Sequence, residues 1–221
     1  MNDQLQKFMF NAAPVRGEIV SLRDTWQEVL ARRSYPVAVR NVLGEMMAAC
    51  ALLSANLKFD GTLVMQIYGD GPVKMLVVQC HSNLSLRATA KLAEGVESEL
   101  DKEMSLVELL NRHGRGRCVI TLDPANKKPG QQPYQGIVPL SGEHGPLSSM
   151  AEVLEHYMHH SEQLDTRMWL AAEHLQHAAD LFTRARALEA RGRGLEVLHV
   201  LLPEQAAKHR FRFFLQQFFR R

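Results

Sequence analysis

Paired cysteines are missing from this chain. Its three, Cys50, Cys80 and Cys118, are 30 and 38 residues apart, and none follows Cys118. No two form a Cys-x-Cys or Cys-x-x-Cys pair, and an odd number makes a poor secretory framework. Reduced, mostly buried thiols behaving as small hydrophobes are expected instead. A long apolar run is missing too: the longest, Met46 to Leu53, is far too short to cross a bilayer. The first seven residues, Met1 to Lys7, are polar and carry no apolar signal region. A cytoplasmic protein with no membrane partner is the expectation.

Net charge is also scarce, at +2, but it is unevenly spread. Residues 181–221 carry nine Lys/Arg against three Asp/Glu, while residues 1–180 carry 17 against 21. A mildly acidic body with a basic tail suggests an appended segment. What is present in quantity is ordinary globular material, with 46% apolar and 23% charged residues over 221 positions. A core of that size buries roughly 70% of the unfolded surface and needs no disulfide or metal to fold.

The pattern of apolar residues predicts the elements. Residues 8–20 read as strand-like around Arg16-Gly17-Glu18, and Ser21 offers an N-cap to a helix carrying Leu22, Trp26, Val29 and Leu30. Pro36 suits the first turn of a second helix reaching about Leu57, apolar on nearly every side and so destined for the centre of the fold. Leu63–Tyr68 and Val73–Val78 read as strands joined by Gly69-Asp70-Gly71-Pro72, a hairpin signal. Further strands are expected over 84–90, 117–122, 134–140 and 166–172, with a loop over 123–133. Ser105-Leu106-Val107-Glu108 and Ser149-Met150-Ala151-Glu152 are capping boxes that open two more helices. Helices interleaved with hairpin-joined strands, without repeating βαβ units, predict an α+β fold with mostly antiparallel sheet packed against helices.

Several fragments resemble chemical sites and have simpler readings. Gly69-Asp70-Gly71 lacks the spacing and following helix of a phosphate loop, so it reads as a turn. His156 and His160 share a helix face beside His159, but Tyr157 stands where a zincin needs Glu; a solvated or capping cluster is expected. Arg112-His113-Gly114-Arg115-Gly116-Arg117 and Arg191-Gly192-Arg193-Gly194 are basic segments of the kind that track phosphates, and the first also reads as a solvated turn. No nucleophile stands beside a base in a recognisable context, so no catalytic or metal residue is assigned and no enzyme is expected. Met46, Met47, Met65, Met75, Met150, Met158 and Met168 could offer adaptable contacts, yet at these spacings they read as core.

Read in order, FMFNAAPVRGEIV, YPVAVRNVLGEMMAACALLSANLKFDG, MQIYGDGPVKMLVV, YQGIVPLSGE and YMHHSEQLDTRMWL resemble the core domain of the heat-shock protein 33 family. The resemblance spans about residues 5–172. It implies a redox-regulated bacterial chaperone that holds unfolding proteins, without ATP, during oxidative and heat stress, and that dimerises when active. It also implies an α+β core followed by a helical linker and a four-cysteine module binding one zinc. Oxidation of those cysteines to disulfides would expel the metal and expose apolar surface. No position of this chain matches any of the four zinc cysteines, so no redox-switch cysteine, metal ligand or cofactor is assigned. Ser161 to Arg167 is a family signature in which Pro usually stands at Asp165; an architectural role is expected, with Glu162 and Arg167 able to pair.

The chain therefore divides into a chaperone core over 1–172 and a tail over 173–221 that departs from the family. In the tail, Leu175 to Leu188 fits a helix closed by Gly192 and Gly194, and the end carries five phenylalanines among four arginines. Unfolded client proteins are the expected partners, a homodimer is permitted, and nucleic acid is not the favoured partner. The alternatives are an RNA-binding module with a basic tail, or a truncated or frameshifted product without function. The client-binding surface cannot be placed from the sequence.

Overall fold

A helix with apolar or small residues on almost every side has to be enclosed, and the stretch after Pro36 forms the centre of the molecule. The computed structural model of the protein describes residues 3–9, 16–58, 60–100, 102–127, 129–130 and 132–172. The expected tail helix and the basic segment at Arg191–Gly194 lie outside them. The central helix, α2 (Val37–Ala55), buries Leu43, Met46, Met47 and Cys50 among thirteen of its residues. By length and composition it could cross a membrane, but most of it is covered by protein, as for a core helix.

Before it come a hairpin, β1 (Gln4–Met9) with β2 (Arg16–Ser21), and helix α1 (Asp24–Arg32). After it come strands β3 (Gly61–Tyr68), β4 (Val73–His81) and β5 (Leu86–Leu92), then helix α3 (Leu106–Leu110). The order closes with β6 (Arg117–Pro124), β7 (Tyr134–Pro139), a small hairpin of β8 (Ser141–Gly142) and β9 (Gly145–Pro146), and helix α4 (Met150–Ser161). The main sheet has the order β5-β4-β3-β6-β7, and every neighbouring pair is antiparallel. The fold is α+β, as the element pattern predicts.

Strict alternation in β3 decides which side of that sheet is core. Gly61, Leu63, Met65 and Ile67 are buried and the residues between them are half-exposed. Leu76, Val78 and Cys80 on β4 and Cys118 and Ile120 on β6 are buried with them. The helices contribute Trp26, Leu109, Leu110, Val153, Leu154 and Tyr157 to the same cluster. The sheet is thus covered on one side, with β3 at its centre.

Several boundaries differ from the sequence reading, each for a physical reason. Ser21 ends β2 and does not cap α1. The free N–H groups of that helix are met instead by Asp3, which accepts from Arg23, Asp24 and Thr25 at 2.6, 2.8 and 3.1 Å and from the Thr25 hydroxyl. Pro36 is the N-cap of α2, one position outside the first turn. Leu84 lies in a turn with φ of 64°, so β5 starts only at Leu86. β6 runs on through Asp123 and Pro124, which pair with Thr62 and Gly61. Residues 166–172 form no strand: Thr166 makes an isolated bridge and the rest is irregular.

The two capping boxes also part company. At α3, Ser105 accepts from the Glu108 N–H while the Glu108 carboxylate takes the Ser105 N–H at 2.9 Å. At α4, Ser149 accepts from the Glu152 N–H, but Glu152 turns to the N–H of Ser148 at 2.7 Å. Arg167 pairs with Glu155 at 2.8 Å, not with Glu162, which accepts from the Tyr157 hydroxyl at 2.6 Å.

Candidate functional site

The side of the main sheet turned away from α2 is built from residues that break the usual rule for a solvated face. Across its middle, the ladder register places Thr89, Val77, Gln66, Val119 and Ile137 side by side. Three of these five are aliphatic. Ile137 is 62% exposed on edge strand β7, Val77 is half-exposed, and Val119 is buried. One flanking row runs Lys91, Met75, Tyr68, Arg117, Pro139, and the other runs Arg87, Gln79, Val64, Thr121, Gln135. Met75 is the one residue of the methionine series on this face; Met46, Met47, Met65, Met150, Met158 and Met168 are buried, as read from their spacing. Among the described residues, the edge strands β5 and β7 each pair with one neighbouring strand only.

The ends of the sheet are pinned by turns. Asp70 in the β3–β4 hairpin accepts from the N–H of His113 at 3.1 Å and of Arg115 at 2.8 Å. Its own N–H donates to the Leu110 carbonyl. Burial pushes the Asp70 carboxyl up, but these backbone bonds and the nearby charges of His113 and Arg115 outweigh it and hold it below its ordinary value. A Cβ on Gly71 would lie 2.5 Å from the Leu109 carbonyl oxygen, so only glycine fits there. The Gly69-Asp70-Gly71 segment is therefore a hairpin turn clamped to α3. The basic loop at Arg112–Arg117 is the other half of that clamp.

The remaining chemistry-bearing residues are engaged locally. His156 and His160 stack with ring centroids 3.9 Å apart, and His160 Nδ1 lies 2.9 Å from the His156 carbonyl oxygen. His159 faces Asp165 at 3.2 Å. Cys50, Cys80 and Cys118 are free and buried. Burial pushes the Cys118 thiol up to about 12, and it also raises Cys50 well above its ordinary value, with Cys80 and Cys118 adding to the effect. Burial also raises Cys80, against an opposing bond from Ser54.

These thiols do not fit a zinc centre. Cys80 pairs with Leu63 and Cys118 with Ile67, so β3 separates them, and among the described residues no group of three or more His, Cys, Asp or Glu is placed to hold a metal.

A cleft of about 260 Å3 opens where α2 meets the starts of α3 and α4 and the segment 170–172. Glu45 lines it, and burial pushes that carboxyl up to about 8. Asn41 lines it too, with a buried Oδ1 that has no hydrogen-bond partner among the described residues. Sequence reading missed both residues, because each sits on a helix otherwise explained as core.

The model of the Hsp33 protein family matches residues 3–190. The chain is 49% identical to the 33 kDa chaperonin of Methylobacillus flagellatus over 174 residues, which are 78% of this chain and 54% of that protein. It is 48% identical to the 33 kDa chaperonin of Chromobacterium violaceum over 171 residues, 77% of this chain and 53% of the other. The crystal structure of the 33 kDa chaperonin from Thermotoga maritima superimposes with a TM-score of 0.55 at 23% identity, covering 73% of this chain and 52% of that one, and supports the fold alone. The chain spans about half the length of the curated relatives it matches. With the family model covering most of its length, the chain belongs to the Hsp33 family of chaperones.

Proposed function

We propose that this protein is an ATP-independent holding chaperone of the cytoplasm, binding unfolding proteins under heat and oxidative stress on the open face of its main sheet. The observation that carries the proposal is the exposed Ile137 and half-exposed Val77, with the buried Val119 in the same row, on a face that no described helix covers. Unfolding proteins expose apolar side chains, and each Å² of apolar surface removed from water contributes about 25 cal/mol before ordering costs. No side chain of the protein performs a reaction in this scheme. Clients are the partners, and homodimer formation through an open strand edge is part of the same proposal.

Holding by this chain does not wait for an oxidant. The burial and raised pKa of Cys50, Cys80 and Cys118 support this, because thiolate is the form that oxidants attack and these groups stay protonated. Light scattering of a heat-labile enzyme at its unfolding temperature tests both parts, with reductant in one series and peroxide in the other. Suppressed scattering in both series is expected. Suppression only after peroxide would overturn oxidant-independence, and none in either series would overturn the chaperone reading.

A further inference from the structure

The open face carries charge of one sign. Arg87 and Lys91 on β5 and Arg117 on β6 point to it, and all three are exposed. Among the described residues, the single acid on this face is Asp123, which is held in an ion pair with Lys127. On β5, Arg87 and Lys91 each lie two residues from Thr89 of the middle row, and on β6 Arg117 lies two residues from Val119. At about 3.3 Å per residue, that separation is about 7 Å. An extended polypeptide repeats side chains on one side at the same interval.

We infer that the face selects unfolded segments in which an apolar residue is flanked at i−2 and i+2 by carboxylates, the apolar group on the middle row and the acids beside Arg87, Lys91 and Arg117. The inference rests on the open face being the client surface. Like charge repels basic segments as strongly as opposite charge attracts acidic ones, so the cations set specificity more than gross affinity. A nucleic acid is the weaker match for the same cations. Among the described residues, Tyr68 is the one Phe, Tyr or Trp on this face, and the Arg117 guanidinium already lies 5.0 Å above its ring, so it offers bases little stacking surface.

Two fluorescent synthetic peptides test the inference, one built on Glu-x-Ile-x-Glu repeats and the other on Lys-x-Ile-x-Lys with all other residues matched. Each exposed ion pair contributes little singly, and three together give about a tenfold preference for the acidic peptide at 0.05 M NaCl. At 0.5 M NaCl screening reduces that preference to about twofold. The variant Arg87→Gln/Lys91→Gln/Arg117→Gln loses the preference, and Arg87→Glu/Lys91→Glu/Arg117→Glu inverts it. All three sites are on the surface, so the fold survives, as circular dichroism melts verify. Equal affinity of the unaltered protein for both peptides, with aggregation of a heated enzyme still suppressed, would overturn charge selection and leave the holding function standing. If neither peptide bound and no suppression occurred, both readings would fall together. Displacement of the acidic peptide by a short oligouridine of similar or higher affinity would assign the face to nucleic acid and also overturn the inference.

Discussion

The carboxylate of Asp70 takes the backbone N–H of Arg115 at 2.8 Å across 45 residues of sequence, fastening the central hairpin to the loop that leads into β6. Charged hydrogen bonds to backbone donors are worth more than neutral ones, and losing this carboxylate also frees the His113 N–H. Asp70→Ala is expected to cost about 2 kcal/mol in a urea melt at pH 7. Because the native carboxyl titrates below its unfolded value, its contribution is complete above pH about 4 and is lost as pH falls through the native pKa. The difference between Asp70→Ala and the unaltered protein should therefore shrink under acid conditions. A difference independent of pH down to 3 would show that the carboxylate does not hold the turn.

Glu45 titrates in the opposite sense. Its native carboxyl keeps a proton up to about pH 8, whereas the unfolded chain releases it near the ordinary value of 4.5. Native protein then binds more protons across that window, so this group's contribution is complete below about 4.5 and fades as pH rises to about 8. Glu45→Gln removes the effect. Melts at pH 5, 7 and 8.5 should show the variant gaining stability relative to the parent as pH rises, by about 1.4 kcal/mol for each pH unit between about 4.5 and 8.

Tyr157 and Gly136 form a lock between α4 and edge strand β7. A Cβ on Gly136 would sit 2.6 Å from the Tyr157 ring, and the Tyr157 hydroxyl donates to Glu162 at 2.6 Å. Burial first, then Glu162, pushes the Tyr157 phenol up, so the hydroxyl stays a donor throughout the working range. Gly136→Ala is expected to destabilise by about 1–3 kcal/mol through overpacking. Tyr157→Phe costs about 1–2 kcal/mol through the lost charged hydrogen bond. Thermal unfolding of the two variants checks both values.

Ile137 gives the opposite profile, as a residue whose loss spares the fold. It is exposed on an edge strand, so Ile137→Ser should move the melting temperature little. Removing one apolar contact of about 1 kcal/mol weakens client binding about fivefold. Titrating the variant against a heated enzyme, with scattering as the readout, measures that loss directly. Unchanged suppression would move the client surface elsewhere.

Native-state alkylation provides a check on the core. Iodoacetamide followed by mass spectrometry should leave Cys50, Cys80 and Cys118 unmodified until denaturant is added, because each thiol is buried and held above its ordinary pKa.

How much of this is legible in the sequence depends on whether the deciding partner is local. The apolar girdle of α2, the Ser105–Glu108 box and the Gly69–Gly71 turn are local, and reading neighbouring residues locates them. The open face is not. In β4 the run Val73 to Val78 is apolar at nearly every position, so alternation cannot tell which residues meet α2; only the register against β3 does. Residues 166–172 have strand-like composition, yet an edge to pair with is a tertiary matter, and Met168, Ala171 and Ala172 are buried without one. β1 fails as a sequence prediction for the converse reason: Gln4–Met9 is too polar to announce a strand and is held by its pairing with β2.

Asp3 closes the start of α1 from twenty residues upstream, which links the beginning of the polypeptide to the orientation of that helix. Attaching the protein to a bead, a dye or a fusion partner at this end therefore bears directly on where Trp26 sits in the core. A linker joined ahead of residue 3 leaves the helix clamped, whereas one that replaces Asp3 unties it.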